Sequence, residues 1–301
     1  MQRLNSSSLD YMSSQSTDHV APCVVLGLCW LVGVPSNIAV VMAIARSFKR
    51  ENFTLKMMLN LAVSDLLCLI TLPVWIYSLL YGWSFGPAVC KFISYLVYCS
   101  LYASVLTVTL MSVQRYLTVL YTQCWARLRG TGERVLLVAL WGLAGVLSCP
   151  AFRIWDVVVQ EENGQHHCRR SYNLDEEEVS VLFTETLLGF FIPFSILVTS
   201  YFCLHKKVNQ TAFFSSQRMT KLVTSIVVTF FIFWFPLHVV NILNIFAAFL
   251  KSESLKNFCK ASSNITGALA FINSCVNPFL YAFASQKLRH DAQQSEIERD
   301  A

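Results

Sequence analysis

Charged residues are scarce in this sequence. Only 14% of its 301 residues are Asp, Glu, Lys or Arg, whereas 55% are hydrophobic. Soluble domains carry about 25% charged residues, so this composition argues against a water-soluble domain. The sequence also shows none of the internal repeats or paired broken segments that are typical of transporters. We therefore expect a membrane protein of another class.

Long apolar runs fill most of the chain instead. Each is close to the ~20 residues that cross ~30 Å of hydrocarbon, and lipid offers the backbone no partners, so each run must be a helix. The sequence predicts an all-α membrane protein, a seven-transmembrane helix bundle, at 22–284, between an outer tail at 1–21 and a cytosolic tail at 285–301. The runs are residues 22–45, 57–80, 89–113, 135–155, 179–204, 222–250 and 264–284.

The distribution of lysine and arginine sets the orientation of the bundle. Basic residues concentrate in the loops that follow the odd-numbered spans and in the tail, which places the N-terminus outside and the C-terminus in the cytosol. The first 20 residues contain no apolar signal-peptide core, so we expect the first span to direct insertion. Asn5 begins an Asn-Ser-Ser glycosylation pattern on the outer side. The net charge of +5 reflects this asymmetry and indicates no nucleic-acid partner.

Cysteines are frequent, with eleven in the chain. Cys90 lies at the outer end of the third span, and Cys168 lies in the loop between spans four and five. Both face the oxidising side, so we expect a disulfide that pins this loop across the mouth of the bundle. Cys23 and Cys259 are the candidates for a second outer disulfide in addition to this one.

The residue clusters of an enzyme are missing. The histidines are scattered, and none pairs with a nucleophile on a shared helix face. His166 and His167 adjoin Cys168 and suggest metal binding, but the expected disulfide would consume that cysteine. We therefore predict no catalytic residues and no enzymatic activity.

Charged side chains inside membrane spans are costly and mark functional positions. Glu185 in span five and Asp65 in span two are such residues. Asp65 shares its depth with Ser104, Asn273 and Asn277. Two compatible interpretations stay open, since this group either holds the bundle together or forms a sodium or water site that helps it change state. A modulatory sodium ion is the only cofactor that we expect.

Prolines interrupt several spans, and each removes one backbone hydrogen bond and bends its helix. Trp234 lies two residues before Pro236, which places a large aromatic side chain at a hinge. Asn277 precedes Pro278 and can bond the backbone groups that the kink frees. The pattern indicates a bundle that changes shape.

These features together resemble the rhodopsin-like G-protein-coupled receptors over nearly the whole chain. The resemblance implies a multi-pass plasma-membrane receptor that couples an outer ligand to a cytosolic heterotrimeric G protein, with arrestin as a further partner. The supporting motifs, in the family's order, are Asn37 in GVPSN, NLAVSDLL, WSFG before Cys90, Arg115-Tyr116, Trp141, Cys168, Pro193 with Tyr201, FWFP and NPFLY.

Longer segments are similar to the leukotriene B4 receptors of the chemoattractant group, and the Gln-Arg pair is most like that of the second type. These segments are SLYASVLTVTLMSVQRYLTV, FTETLLGFFIPF, FPLHVVN and ALAFINSCVNPFLYAF. The resemblance implies a lipid mediator of chemotaxis and inflammation as the ligand, namely an oxygenated fatty acid such as leukotriene B4 or a related hydroxy-eicosanoid. It also implies coupling chiefly to inhibitory-class G proteins.

The predicted cavity agrees with a lipid ligand. Val97 stands where amine receptors of the family place an aspartate, and span seven contains no lysine for retinal attachment. An apolar, tyrosine-rich cavity with few polar groups suits a lipid tail that bears hydroxyls. The predicted lining is Tyr95, Tyr98, Tyr102, Glu185, Trp234, His238 and Asn241.

A carboxylate head group requires a cation, and the candidates are Arg153, Arg169 and Arg170. The acidic residues at 175–178 and 161–162 would repel an anion or neutralise these arginines. They suit a basic chemotactic peptide better, and such a peptide is the alternative ligand.

The resemblance also assigns a switch. Ligand contacts near Trp234 would bias the Pro236 hinge and open a cytosolic cavity beside Arg115. Most of the family places an acid before this arginine, but Gln114 carries no charge, so we predict raised basal activity. The predicted switch and G-protein-contact residues are Gln114, Arg115, Tyr116, Tyr201, Trp234, Pro236, Asn277, Pro278 and Tyr281.

Overall fold

The computed structural model describes residues 6–46, 53–128, 130–159, 164–208 and 214–300. Within these ranges it describes the side chains of all residues except 6–19, 122, 124, 204–223, 264 and 281–300. The helices are α1 (Ser6–Arg46), α2 (Phe53–Leu69), α3 (Leu72–Tyr81), α4 (Gly86–Leu120), α5 (Thr122–Leu128), α6 (Thr131–Ser148), α7 (Ala151–Ile154), α8 (Asp175–Thr186), a π-helical segment (Leu187–Phe191), α9 (Ile192–Val208), α10 (Phe214–Leu250) and α11 (Glu253–Asp300). The predicted glycosylation site at Asn5 lies outside the described residues.

Six stretches within the described residues are long and apolar enough to cross a membrane. They are Val20–Arg46, Phe53–Tyr81, Gly86–Leu120, Thr131–Ile154, Asp175–Cys203 and Thr224–Leu250, and they agree with the first six predicted runs. The seventh predicted run lies within α11, which packs against α1 and α10.

Several spans are interrupted where proline removes a backbone donor. The second span consists of α2 and α3, which meet at Thr71 just before Pro73, and the Thr71 hydroxyl donates to the Cys68 carbonyl at 2.7 Å. The fifth span changes from α8 to the π-helical segment before Pro193. Pro236 and Pro278 lie inside the continuous helices α10 and α11.

The interior of the bundle combines apolar packing with polar bridges. Met57, Leu61 and Met111 belong to a fully buried core that α2 and α4 share with α6 and α10. Asn60 joins two neighbouring spans, because its amide donates to Thr107 Oγ1 at 2.7 Å and its carbonyl accepts from Trp141 Nε1 at 2.8 Å. Such interhelical bonds fix the positions of spans two, three and four.

An antiparallel hairpin of β1 (Trp155–Val159) and β2 (His166–Arg170) covers the outer end of span three. The sequence does not predict this hairpin. Cys90 and Cys168 form the expected disulfide, with their Cα atoms 5.7 Å apart. The second candidate disulfide is not formed, since Cys23 and Cys259 are free thiols. The hairpin therefore anchors the outer loop to the bundle.

Candidate functional site

Strand β2 directs Arg170 into the outer part of the bundle. Its Nη2 donates to Glu185 Oε2 at 3.1 Å and also to the Tyr98 hydroxyl, while Nη1 donates to the Tyr172 hydroxyl at 3.4 Å. Burial alone would lower the pKa of Arg170, but the negative charge of Glu185 raises it well above its ordinary value. A permanently charged guanidinium thus connects the outer loop with spans three and five.

Below Arg170, several buried polar atoms lack partners. Both ring nitrogens of His238, Asn241 Nδ2 and Trp234 Nε1 have no hydrogen-bond partner within the part of the chain that the structure describes. His238 and Asn241 are only 3% and 4% exposed. Buried polar groups are normally satisfied, and each unsatisfied group costs about 1–3 kcal/mol. The region is therefore suited to a ligand that supplies the missing partners.

Aromatic rings pack against His238. The His238 ring lies 5.7 Å from Trp234 and 4.9 Å from Phe190. Gly189 packs close to this ring, since a Cβ atom there would be in van der Waals contact at 3.5 Å from His238 Cε1 and 3.7 Å from Tyr102 Cε1. Tyr98, Tyr102, Glu185, Trp234, His238 and Asn241 thus belong to the interior of the outer half of the bundle.

Three other predicted ligand residues point elsewhere. Tyr95 stacks on Phe152 at 4.5 Å and faces span four. The side chain of Arg153 is 75% exposed and bonds Glu177 at 2.7 Å. Arg169 lies on the exposed face of β2. The structure does not bring these three together with His238.

The acidic start of α8 is paired with cations. Arg153 bonds Glu177, and Lys256 lies 3.7 Å from Asp175 and 4.0 Å from Glu178. These ion pairs neutralise much of the charge that favours a basic ligand.

A second outer ion pair joins span three to the hairpin. Lys91 lies 3.3 Å from Asp156. The Val157 backbone N–H, and then Lys91, lower the pKa of the Asp156 carboxyl. The pair adds to the attachments that hold the hairpin over the bundle.

Asp65 occupies the centre of the bundle. Ser104 Oγ donates to Asp65 Oδ1 at 3.3 Å, and Asn277 Nδ2 donates to Asp65 Oδ2 at 2.8 Å. The side-chain oxygens of Asn273 and Asn277 have no partner among the described residues. Hard cations prefer oxygen ligands, so these residues fit a sodium ion chemically. The described residues contain no cluster of three or more His, Cys, Asp or Glu side chains for a metal.

At the cytosolic end, Arg115 is held by a neutral partner. Its Nη2 donates to Thr54 Oγ1 at 2.8 Å, and the Thr54 hydroxyl lies 3.5 Å from Gln114 Oε1. Gln114 is buried, and its amide nitrogen lies 3.5 Å from Thr118 Oγ1. Thr54 therefore links Arg115 and Gln114 to the start of span two.

The other predicted switch residues are spread along the bundle, with Trp234 beside His238 and Asn277 bonded to Asp65. The Tyr116 ring packs 5.9 Å from Tyr121, and Tyr201 is exposed on α9. Trp125 of α5 lies against Phe53 at 5.1 Å, beside Thr54. The Tyr281 side chain lies outside the described residues, so its predicted role stays a prediction.

Comparison with known proteins agrees with this architecture. The model of the 7 transmembrane receptor (rhodopsin family) matches residues 36–281. The chain belongs to this family. It is accordingly a multi-pass plasma-membrane receptor that responds to a ligand and acts through a heterotrimeric G protein, and the seven-helix prediction is confirmed.

Individual relatives span several ligand classes. The chain is 34% identical to the G-protein coupled receptor E1 of equine herpesvirus 2 over 90% of this chain and 72% of that protein. It is 34% identical to the human leukotriene B4 receptor 1 over 89% of this chain and 78% of that protein. It is 31% identical to the human type-2 angiotensin II receptor over 95% of this chain and 83% of that protein. These relatives are receptors rather than enzymes, and they leave the ligand class open.

Sequence reasoning took Arg169 rather than Arg170 from the candidate arginines into the predicted ligand site, and it assigned no role to Thr54. Alternation along β2 separates the two arginines, because Cys168 is buried and Arg170 lies two residues further on the same face. That signal requires knowledge of the strand. Thr54 carried no comparable signal, because it is one hydroxyl at the start of an apolar run.

Proposed function

We propose that this receptor binds an oxygenated fatty acid of the leukotriene B4 type and couples chiefly to inhibitory-class G proteins. The observation that carries the proposal is the set of unpartnered buried polar atoms on His238, which packs against Phe190 and Trp234, and on Asn241. A neutral imidazole offers one donor and one acceptor, and an amide nitrogen offers donors. Hydroxyl groups on an apolar chain supply matching partners, and the similarity to the human leukotriene B4 receptor 1 supports the same ligand class.

Arg170 provides the cation for a carboxylate head group in this proposal. Its guanidinium has five N–H donors and can hold a ligand carboxylate through two parallel bonds. Glu185 is its partner in the absence of ligand. The ligand carboxylate therefore either replaces Glu185 as the partner of Arg170 or shares the guanidinium with it.

A basic peptide is the alternative ligand. The similarity to the human type-2 angiotensin II receptor supports it. The ion pairs of Asp175, Glu177 and Glu178 with Lys256 and Arg153 weaken it, because these acids already have cationic partners. We therefore favour the fatty acid.

Signal transfer proceeds through a shift between two packings of the spans. Ligand contacts around Trp234 bias α10 at Pro236, and the cytosolic end of span six moves away from Arg115. The vacated space admits part of the G protein. A sodium ion on Asp65, Ser104, Asn273 and Asn277 would stabilise the resting packing, while arrestin is the further cytosolic partner.

Cells that express the receptor test this proposal through calcium release and inhibition of cAMP formation. Hydroxylated fatty acids and basic chemotactic peptides are applied in parallel at matched concentrations. We expect responses to the fatty acids that pertussis toxin abolishes, since it disables inhibitory-class G proteins. A response to peptides alone overturns the assignment.

A further inference from the structure

An ion pair joins the cytosolic ends of spans two and four. Lys56 Nζ lies 3.0 Å from Glu133 Oε2, and the two side chains are 28% and 6% exposed. A buried carboxylate is costly unless a cation and hydrogen bonds compensate its charge. The Glu133 carboxylate is almost completely buried, and Lys56 is the cation that compensates it.

Both charges lie in the first turn of a helix. Helix α2 begins at Phe53 and helix α6 begins at Thr131. The N-terminus of a helix carries a partial positive charge, which favours Glu133 in the first turn of α6 and disfavours Lys56 in the first turn of α2. The position of Lys56 is therefore explained by its contact with Glu133 rather than by the stability of its own helix.

The turn of α2 that carries Lys56 also carries the partner of Arg115. Thr54 lies two residues before Lys56, and its hydroxyl accepts the hydrogen bond from Arg115 Nη2 at 2.8 Å. Phe53, at the start of the same turn, packs against Trp125 of α5 with the ring centroids 5.1 Å apart. The first turn of α2 thus contacts span three, span four and α5 through three different side chains.

A further attachment of span two lies one turn deeper. Asn60 follows Lys56 by four residues, which places both on one face of α2. The side-chain carbonyl of Asn60 accepts a hydrogen bond from Trp141 Nε1 of span four at 2.8 Å. Helix ends fray more readily than helix interiors. Without the ion pair, the turn before Asn60 can move away from the bundle, and Thr54 with it, while the rest of span two stays in place.

We propose that Lys56 and Glu133 are positioning residues for signalling. Their ion pair holds the first turn of α2, which keeps the Thr54 hydroxyl within hydrogen-bonding distance of Arg115 and limits activation of the G protein in the absence of ligand. This inference rests on the role of Arg115 in the proposed signal transfer, but it is independent of the ligand. It assigns part of the restraint on Arg115 to a contact between spans two and four, although Arg115 belongs to span three.

Ligand-free nucleotide exchange by the purified receptor tests this inference. The assay uses the class of heterotrimeric G protein on which the unmodified receptor gives the highest ligand-free rate. Glu133→Gln keeps the shape of the side chain and removes its charge, while Lys56→Met removes the charge from the other helix, so that either variant suffices if the other does not fold. We expect each to raise exchange by up to about fivefold, the factor that corresponds to loss of the Thr54 hydrogen bond.

A rescue variant and a control accompany the single variants. Lys56→Glu combined with Glu133→Lys restores an ion pair of opposite polarity and should return exchange to within about twofold of the unmodified receptor. Arg134→Met is the matched control, because it removes one positive charge at an exposed position next to Glu133, and it should leave exchange unchanged. In a receptor that carries Thr54→Val, Glu133→Gln should add no further increase, because the ion pair acts through Thr54.

The outcomes separate the inference from the proposed function. Unchanged exchange in the single variants contradicts the inference, and so does a swapped receptor that keeps the raised exchange. Increases that multiply with the increase from Thr54→Val also contradict it, because they show an effect that bypasses Thr54. If Thr54→Val alone raises exchange, the restraint on Arg115 stands and only the role of the ion pair is refuted. A receptor that does not respond to leukotriene B4 overturns the proposed ligand and leaves this inference intact, because every measurement is made without ligand.

Discussion

The guanidinium of Arg115 donates a hydrogen bond to the hydroxyl of Thr54, and the two atoms lie 2.8 Å apart. Arg115 lies near the cytosolic end of span three and Thr54 near the cytosolic start of span two, so the bond connects the two spans there. Where a carboxylate precedes this arginine, an ion pair restrains it, but Gln114 is neutral. Thr54 therefore supplies the restraint that the sequence alone does not reveal.

Removal of the Thr54 hydroxyl should raise basal signalling. Thr54→Val keeps the shape of the side chain and removes the acceptor, which weakens the resting packing by about 1 kcal/mol, or roughly fivefold in population. Ligand-free nucleotide exchange, normalised to surface expression, measures the effect. Thr109→Val is the matched control, because Thr109 bonds its own helix at Val105. Equal basal exchange in both variants would show that Thr54 exerts no restraint.

Gln114→Asp should have the opposite effect. A carboxylate beside Arg115 adds a charge-assisted bond of about 1.5–3 kcal/mol to the resting packing. We expect lower ligand-free exchange with leukotriene B4 affinity preserved. An unchanged or higher basal signal would contradict the view that the missing charge matters at this position.

Arg170→Gln should discriminate between ligands by their head groups. Loss of the guanidinium removes a charge-assisted bond of about 1.5–3 kcal/mol, so leukotriene B4 affinity should fall at least tenfold. The methyl ester of leukotriene B4, which lacks the negative charge, should lose much less. Arg169→Gln changes the adjacent residue on the exposed face of the same strand and should alter neither affinity.

Substitution of His238 should separate stability from binding. His238→Phe keeps an aromatic ring against Trp234 and removes two unpartnered buried nitrogens, so the ligand-free receptor should gain about 1–3 kcal/mol of stability. Leukotriene B4 affinity should fall at the same time. Thermal unfolding of the purified receptor measures the first effect, and equilibrium binding measures the second. A His238→Phe receptor that loses stability as well as affinity would contradict the view that the His238 nitrogens are unsatisfied without ligand.

The membrane spans were predictable because apolar length is a strong, local signal. The six spans that the described residues define agree with predicted runs, and the break before Pro73 follows from proline chemistry. The disulfide was also predictable, since Cys90 and Cys168 are the cysteines at the right positions on the oxidising side.

Contacts between residues that are distant in sequence were harder to predict. The pairing of Arg170 with Glu185 depends on a hairpin that no apolar pattern marks, and Arg169 differs from it only by the alternation of the strand. Likewise, the fifth span widens into a π-helical segment before Pro193. Helical periodicity gives no measure of such a local widening.

Nucleotide exchange on a purified inhibitory-class G protein, reconstituted with the receptor in lipid nanodiscs, tests the central claim most directly. Leukotriene B4 should accelerate exchange in a concentration-dependent manner, and His238→Phe should shift the half-maximal concentration upwards. Exchange that a basic chemotactic peptide accelerates, while leukotriene B4 leaves it at the ligand-free rate, would contradict the assignment of an oxygenated fatty acid.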